Sequence, residues 1–418
     1  MPIFRRVGVY AVMRSLLVAC ILILALPLVA AAQNCARANL LATADNARTI
    51  REELMDAKGD PNGMNYDIPD DAEKLVPALK SALTSTIDTY MRCEVGEAAD
   101  VVETQNALIS VLGADWKESS QVVEAGPQPD DPEFGVALRI QVTRPEPSLP
   151  LIAVQTSFGI GCGEDNVLLI YEWRDGRWQR SIEWKSGEYK EISGAFGDFF
   201  EFVILPGETP GTWLLAAAHG MPWCTSRWSE FDLQVVQPAR SGAPQKVIFE
   251  KENEYVRFEL DPELKQVEGG FELRLQQGMI DMDVMTRLGI YRYKVSDDRV
   301  ERVQPVASNG RDFVDEWIQS NWSQAKGWSA TANIESLEAE HMRISEIWHS
   351  HSESSPLLTF GPVLACADDS KHFQVELDED FEASTYFQIE QSLDSFTMVT
   401  ALRTSHPMCN GEDIMSNH

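Results

Sequence analysis

Cys162 lies between two glycines, in Gly161-Cys162-Gly163. A thiol nucleophile works from such a sharp turn when a base stands beside it. This cysteine has counterparts, however. It follows Gly159 by three residues, as Cys224 follows Gly220 by four and Cys366 follows Gly361 by five. Matching positions in successive segments fit structural cross-links, and no G-x-S-x-G elbow accompanies them. Metal chemistry needs clustered imidazoles or carboxylates. His349 and His351 are two apart and would share one face of a strand, with His341 and Glu346 nearby. No H-E-x-x-H occurs and no third ligand can be named, so these residues read as a polar loop after an edge strand. Glu376, Asp378 and Asp380 alternate in the same way. They lack the D-x-D-x-D-G pattern of a calcium loop and read as a solvated strand end.

Glycoside hydrolysis needs two carboxylates, and among 65 acidic residues every pairing can be drawn and none stands out. Phosphate cradles of the G-x-G-x-x-G and G-x-x-x-x-G-K-[ST] types are absent. The sequence therefore names no catalytic residue, no metal site and no cofactor. Aromatic residues supply the remaining candidate. Trp223 and Trp228 flank Cys224 in one loop, beside His219 and Pro222. Exposed tryptophans stack on sugars or grip partner proteins, and that makes Trp223, Trp228 and His219 the expected binding surface. The competing reading is that both indoles pack turns.

These residues have to be positioned by the elements around them. The first part of the chain is helical. Leu40, Leu41, Ala44, Ala47, Ile50 and Leu54 place a helix over about Ala36–Lys58, ended by Gly59-Asp60-Pro61-Asn62-Gly63. Leu75, Leu79, Leu83 and Ile87 recur every four residues in a second helix, which opens after Pro69-Asp70-Asp71 and ends near Cys93. A third covers about Glu97–Leu112 and stops at Gly113. Two long helices with a short link run antiparallel, which brings Cys35 beside Cys93.

From Trp116 onward, short β-rich runs alternate with turn residues, and the runs repeat. One unit reads 136–142, 151–157, 167–173 and 178–184. The second reads 199–205, 213–219, 230–236 and 245–251. The third reads 256–260, 271–277, 287–294 and 299–303. Gly159, Gly220 and Gly278 follow the second strand each time, 61 and 58 residues apart. Tyr171, Phe231 and Tyr291 keep step at the centre of the third strand, 60 residues apart. A divergent fourth unit is expected at 342–348, 357–360, 372–377 and 386–390, with Gly361 after its second strand. A helical insertion near 309–328 precedes it, carried by Phe313, Val314, Trp317 and Ile318. A last strand, 396–402, is left to join the first unit.

The fold expected is therefore mainly β, with repeated four-stranded antiparallel meanders arranged like propeller blades. Tandem β-sandwiches are the alternative. The expected division is a signal peptide at 1–32, a helical region at 33–115 and a propeller-like β domain at 116–418.

The N-terminus sets the compartment. Arg5, Arg6 and Arg14 precede an apolar run from Leu16 to Leu26, Pro27 breaks it, and Ala30-Ala31-Ala32 offers a cleavage site. Removal of 1–32 takes three of the 35 basic residues and none of the 65 acidic ones, so the net charge moves from −30 to −33. That charge argues against nucleic acid and anionic membrane surfaces as partners. The six remaining cysteines, Cys35, Cys93, Cys162, Cys224, Cys366 and Cys409, show long spacings and no CxxC. In an exported chain they read as three disulfides: Cys35–Cys93 from the helix geometry, Cys162–Cys224 from matching turns and Cys366–Cys409 by elimination.

The function expected is a secreted or periplasmic binding or scaffolding module for a protein or glycan, without catalysis. An extracytoplasmic hydrolase with a loop-assembled site is the alternative. Mass spectrometry of the exported protein is expected to find the mature chain starting within a few residues of Gln33, and a lipidated start at Cys20 would overturn the cleavage assignment.

Overall fold

The computed structural model describes Cys35 and residues 37–57, 69–114, 134–161, 163–187, 199–207, 209–221, 227–240, 243–256, 260–281, 283–296, 298–350, 357–367, 371–379 and 383–415. The segment 1–32, Cys162, Trp223, Cys224, His351 and Asp380 lie outside them, and so does the expected Cys162–Cys224 pair. The chain forms two compact units, Met1–Ile192 and Ser193–His418. Among the described residues, no helix is long and apolar enough to cross a membrane.

In the first unit, helices α1 (Arg37–Asp56) and α2 (Asp70–Glu94) bury most of the predicted stripes: Leu40, Ala44, Ala47 and Leu54 on one, with Leu41 exposed and Ile50 half-buried, and Leu79, Leu83 and Ile87 on the other, where Val76 is buried and Leu75 only half-buried. The Cys35–Cys93 disulfide joins the start of α1 to the end of α2, with Cα atoms 5.2 Å apart, as two antiparallel helices require. Helix α3 (Val101–Leu112) starts later than its apolar pattern suggested. Asp100 caps it by accepting from the Val102 and Glu103 amides, and Gly113 ends it at φ +64°. The first meander follows as β1 (Arg139–Thr143), β2 (Leu151–Ile160), β3 (Gly163–Arg174) and β4 (Arg177–Lys185), in the order β1-β2-β3-β4. Asp175 and Gly176, both at positive φ, turn β3 into β4, as a two-residue hairpin with right-twisted strands demands.

Helix α2 is tied to this sheet by polar contacts, one of them fully buried. Lys80 Nζ lies 3.0 Å from Asp165 Oδ2 and donates to the Ser186 carbonyl at 2.8 Å. Tyr171 donates its hydroxyl proton to Asp88 Oδ1 at 2.6 Å, and Arg180 donates to the other oxygen at 2.7 Å. Burial pushes the Asp165 carboxyl up to about 7 against the pull of Lys80.

The second unit holds three further meanders. The second sheet is β5 (Phe200–Pro206), β6 (Trp213–Met221), β7 (Trp228–Gln237) and β8 (Lys246–Val256). The third is β9 (Glu263–Val267), β10 (Gly270–Gly278), β11 (Thr286–Ser296) and β12 (Arg299–Arg302). The fourth is β13 (Leu358–Ala365), β14 (His372–Glu379), β15 (Ala383–Ser392) and β16 (Ser395–Leu402). Among the described residues all strand pairs are antiparallel, and each of the four sheets is open. The second and third sheets share one core, with Leu214, Ala216, Ala218, Phe231, Leu233 and Tyr255 from one and Phe271, Leu273, Leu275 and Tyr291 from the other.

Four expectations are corrected. Residues 342–348 are not a strand: they belong to helix α6 (Ile334–His349), whose buried Leu337, His341 and Ile344 follow helical spacing. The fourth sheet therefore begins at β13, and Gly361 lies in its first strand instead of after its second. The first strand of the third sheet is Glu263–Val267, because Val256 completes β8 and Gly269, at φ +73°, turns β9 into β10. The last strand pairs with β15 as the fourth strand of its own sheet and does not join the first unit. The helical insertion is present as α4 (Gly310–Gln319), capped by Asn309, followed by the short α5 (Trp322–Ala325). Phe313, Val314, Trp317 and Ile318 of α4 enter the core of the fourth sheet, beside Val375, Leu377, Phe387 and Ile389. The Cys366–Cys409 disulfide, expected by elimination, is formed at the end of this sheet.

Replacing Lys80 by Met leaves the Asp165 carboxylate buried without its cation. It is expected to lower stability by about 3–5 kcal/mol in urea unfolding, and Lys80→Met combined with Asp165→Leu is expected to recover most of that loss.

Candidate functional site

The recurring glycines mark equivalent strand ends. Gly159 is the next-to-last residue of β2, Gly220 the next-to-last of β6 and Gly278 the last of β10. Gly159 donates its amide to the Val136 carbonyl at 2.7 Å, and Gly220 donates to the Phe199 carbonyl at 2.8 Å, each just ahead of the first strand of its sheet. At each position a side chain fills the space that a Cβ would need: Val136 at Gly159, Phe199 and Tyr255 at Gly220, and Trp228 at Gly278. A Cβ on Gly278 would fall 2.7 Å from Trp228 Cζ3.

Trp228, the first residue of β7, is half-buried, with its ring against the Gly278 backbone. The loop that leaves Gly278 is held from inside. Asp281, 1% exposed, accepts from the Asp283 amide at 2.8 Å and, through its other oxygen, from the Phe360 amide at 2.8 Å. Asp315 accepts from the Ile280 amide at 2.8 Å. Two apolar residues stand outward at the loop end, Val284 at 37% and Met285 at 56% exposure, and Met285 has φ +69°. Trp228 thus packs on the end of β10, and the anchored loop that leaves the same strand end carries Val284 and Met285. Sequence reasoning singles out Trp228 but misses Val284 and Met285, because their place at this strand end comes from pairing of Gly278 with Thr286 across β10 and β11.

His219 does not share that exposure. It is 2% exposed on β6, its ring centroid 6.2 Å from that of Phe200 and its backbone in register with Asp232. Burial, followed by the charges of Glu250 and Glu252, pushes the Asp232 carboxyl up to about 7. Gln234 Nε2 donates to Asp232 Oδ2 at 2.8 Å and to Glu250 Oε1 at 2.9 Å. Trp223 lies outside the described residues, so its place beside Trp228 is not described.

The other sequence candidates have structural roles. His349 ends helix α6 instead of following a strand. His341 is buried in the same helix, with Nε2 2.9 Å from the Ser320 carbonyl and its ring against Trp317. Tyr386 donates to Glu376 at 2.9 Å, and Ser384 donates to Asp378, across β14 and β15. Among the described residues, no group of three His, Cys, Asp or Glu side chains could hold a metal ion.

A buried ion network also escapes sequence reasoning. Arg287 of β11 pairs with Asp315 and, at 2.6 Å, with Glu316 of α4, and Arg302 of β12 lies 2.7 Å from Glu316. Burial alone would raise the Glu316 carboxyl, but Arg302 and Arg287 bring it down to about 2. Two cations and two anions close on each other here, which suits anchoring of α4 to the third sheet. The chain matches no known family model, no characterised protein and no solved structure.

Gly278→Ala is expected to cost about 1–3 kcal/mol by forcing the indole of Trp228 aside. In a double-mutant cycle that cost is expected to fall away when Trp228 is already Ala, and a cost independent of residue 228 would show that the contact is not what Gly278 accommodates.

Proposed function

We propose that the protein is an exported, non-catalytic binding module that captures a protein or glycan through the surface around Trp228. The carrying observation is the indole itself. It is half-buried and pressed on Gly278, the strand end from which a loop anchored by Asp281 and Asp315 carries the exposed Val284 and Met285. A tryptophan held in one orientation loses little freedom on binding and presents a large contact area. Two disulfides among the described residues suit an oxidising compartment, secreted or periplasmic. The strongly acidic chain favours neither nucleic acid nor anionic membranes as the ligand.

The hydrolase alternative draws on Asp232, in register with His219; burial and the charges of Glu250 and Glu252 push its carboxyl up to about 7. The two readings separate in one set of assays on the mature protein. Glycan-array and immobilised-protein binding are expected to show a ligand whose affinity drops roughly thirtyfold on Trp228→Ala while circular dichroism is unchanged. Turnover of a glycosidic, ester or peptide substrate that Asp232→Asn abolishes would replace the binding reading with the hydrolase.

A further inference from the structure

The third sheet turns one face toward the second sheet, through Phe271, Leu273, Leu275, Tyr291 and Tyr293. Its other face carries an unusual charge arrangement for so acidic a chain. Glu272 of β10 stands in register between Lys265 of β9 and Arg292 of β11. Its side chain has no exposed surface. Arg274 donates through Nε to Glu272 Oε1 at 2.6 Å, and Arg292 donates through Nε to Oε2 at 2.6 Å. Lys265 Nζ lies 3.5 Å from the same carboxylate and 3.7 Å from Glu263.

Ordinary cross-strand ion pairs would balance these charges one for one. Here three cations meet two carboxylates, and the geometry is directional. Glu272 occupies the Nε edge of each guanidinium. Among the described residues, the two terminal nitrogens of Arg274 and Nη1 of Arg292 donate no hydrogen bond, while Nη2 of Arg292 lies 2.6 Å from Glu272 Oε2. The three cationic side chains keep 36%, 29% and 38% of their surface exposed, for Arg274, Arg292 and Lys265 in turn. A buried carboxylate therefore orients two guanidiniums on partly exposed side chains, with donors left over. Such a fork matches the oxygens of a carboxylate or phosphate. Burial works against ionisation of Glu272, but Arg274 and Arg292 hold its carboxyl below the usual range, so the anchor stays charged.

We propose that Arg274 and Arg292, with Lys265 beside them, form a subsite for an oxyanion, the carboxylate or phosphate group of a ligand. Small anions read this subsite directly, so the outcome does not depend on what is captured at Trp228. The test is calorimetric titration of the oxidised mature protein with inorganic phosphate and, separately, with oligogalacturonate, at an ionic strength fixed with sodium chloride.

Saturable binding of at least one anion is expected, weakened roughly tenfold or more by Arg274→Gln. Phosphate alone, or uronate alone, identifies the source of the oxyanion. Arg274→Gln strips a partner from a buried carboxylate, so Lys265→Ala serves as the second variant, leaving both Glu272–arginine contacts in place. It is expected to weaken binding severalfold with an unchanged melting temperature. Absence of saturable binding of either anion, or equal affinity in the wild type and both variants, would overturn the proposal.

Discussion

Two inner strands, β2 and β6, are buried on both faces, and that constraint governs how their sheets are covered. In both, nearly every residue is buried, whichever way its side chain points. A strand of this kind cannot leave either face wet, because each exposed apolar side chain forfeits its transfer free energy. Their sheets therefore need cover. In the first unit, α2 lies on the first sheet. In the second unit, the second and third sheets cover each other, and α4 and α6 supply apolar side chains to the core of the fourth.

Covering a sheet brings polar groups inside, and they are matched there. Arg287 and Arg302 meet Asp315 and Glu316 where α4 docks, and Lys80 meets Asp165 where α2 docks. In both places a helix presents charge to a strand, and the pairing ties the helix to one register. An apolar contact tolerates sliding, but a buried charge does not, since displacement leaves it without its partner. The glycines act in the same direction. At Gly159, Gly220 and Gly278 a neighbouring side chain takes the space of the missing Cβ, so each strand end is keyed to one neighbour.

Function is expected where these keyed strand ends reach the surface. Trp228 is fixed by Gly278, and the loop carrying Val284 and Met285 is fixed by Asp281 and Asp315. These groups form the proposed recognition surface, and the arginine pair over Glu272 the proposed polar subsite on the third sheet.

Much of this was legible in the residues. Period-four apolar spacing placed α1 and α2, and their antiparallel return placed Cys35 beside Cys93. The 60-residue step of Tyr171, Phe231 and Tyr291 marked the third strand of three sheets, and all three rings are buried. These signals are local periodicities, and local periodicity follows directly from backbone geometry. Residues 342–348 misled because a short apolar alternation suits a strand or one face of a helix, and packing of Leu337, His341 and Ile344 decides between them. The partner of β16, the burial of His219 and the contact of Trp228 with Gly278 were decided only by the tertiary structure. Each depends on residues distant in sequence meeting across strands, and no spacing along the chain encodes which neighbour fills a given space.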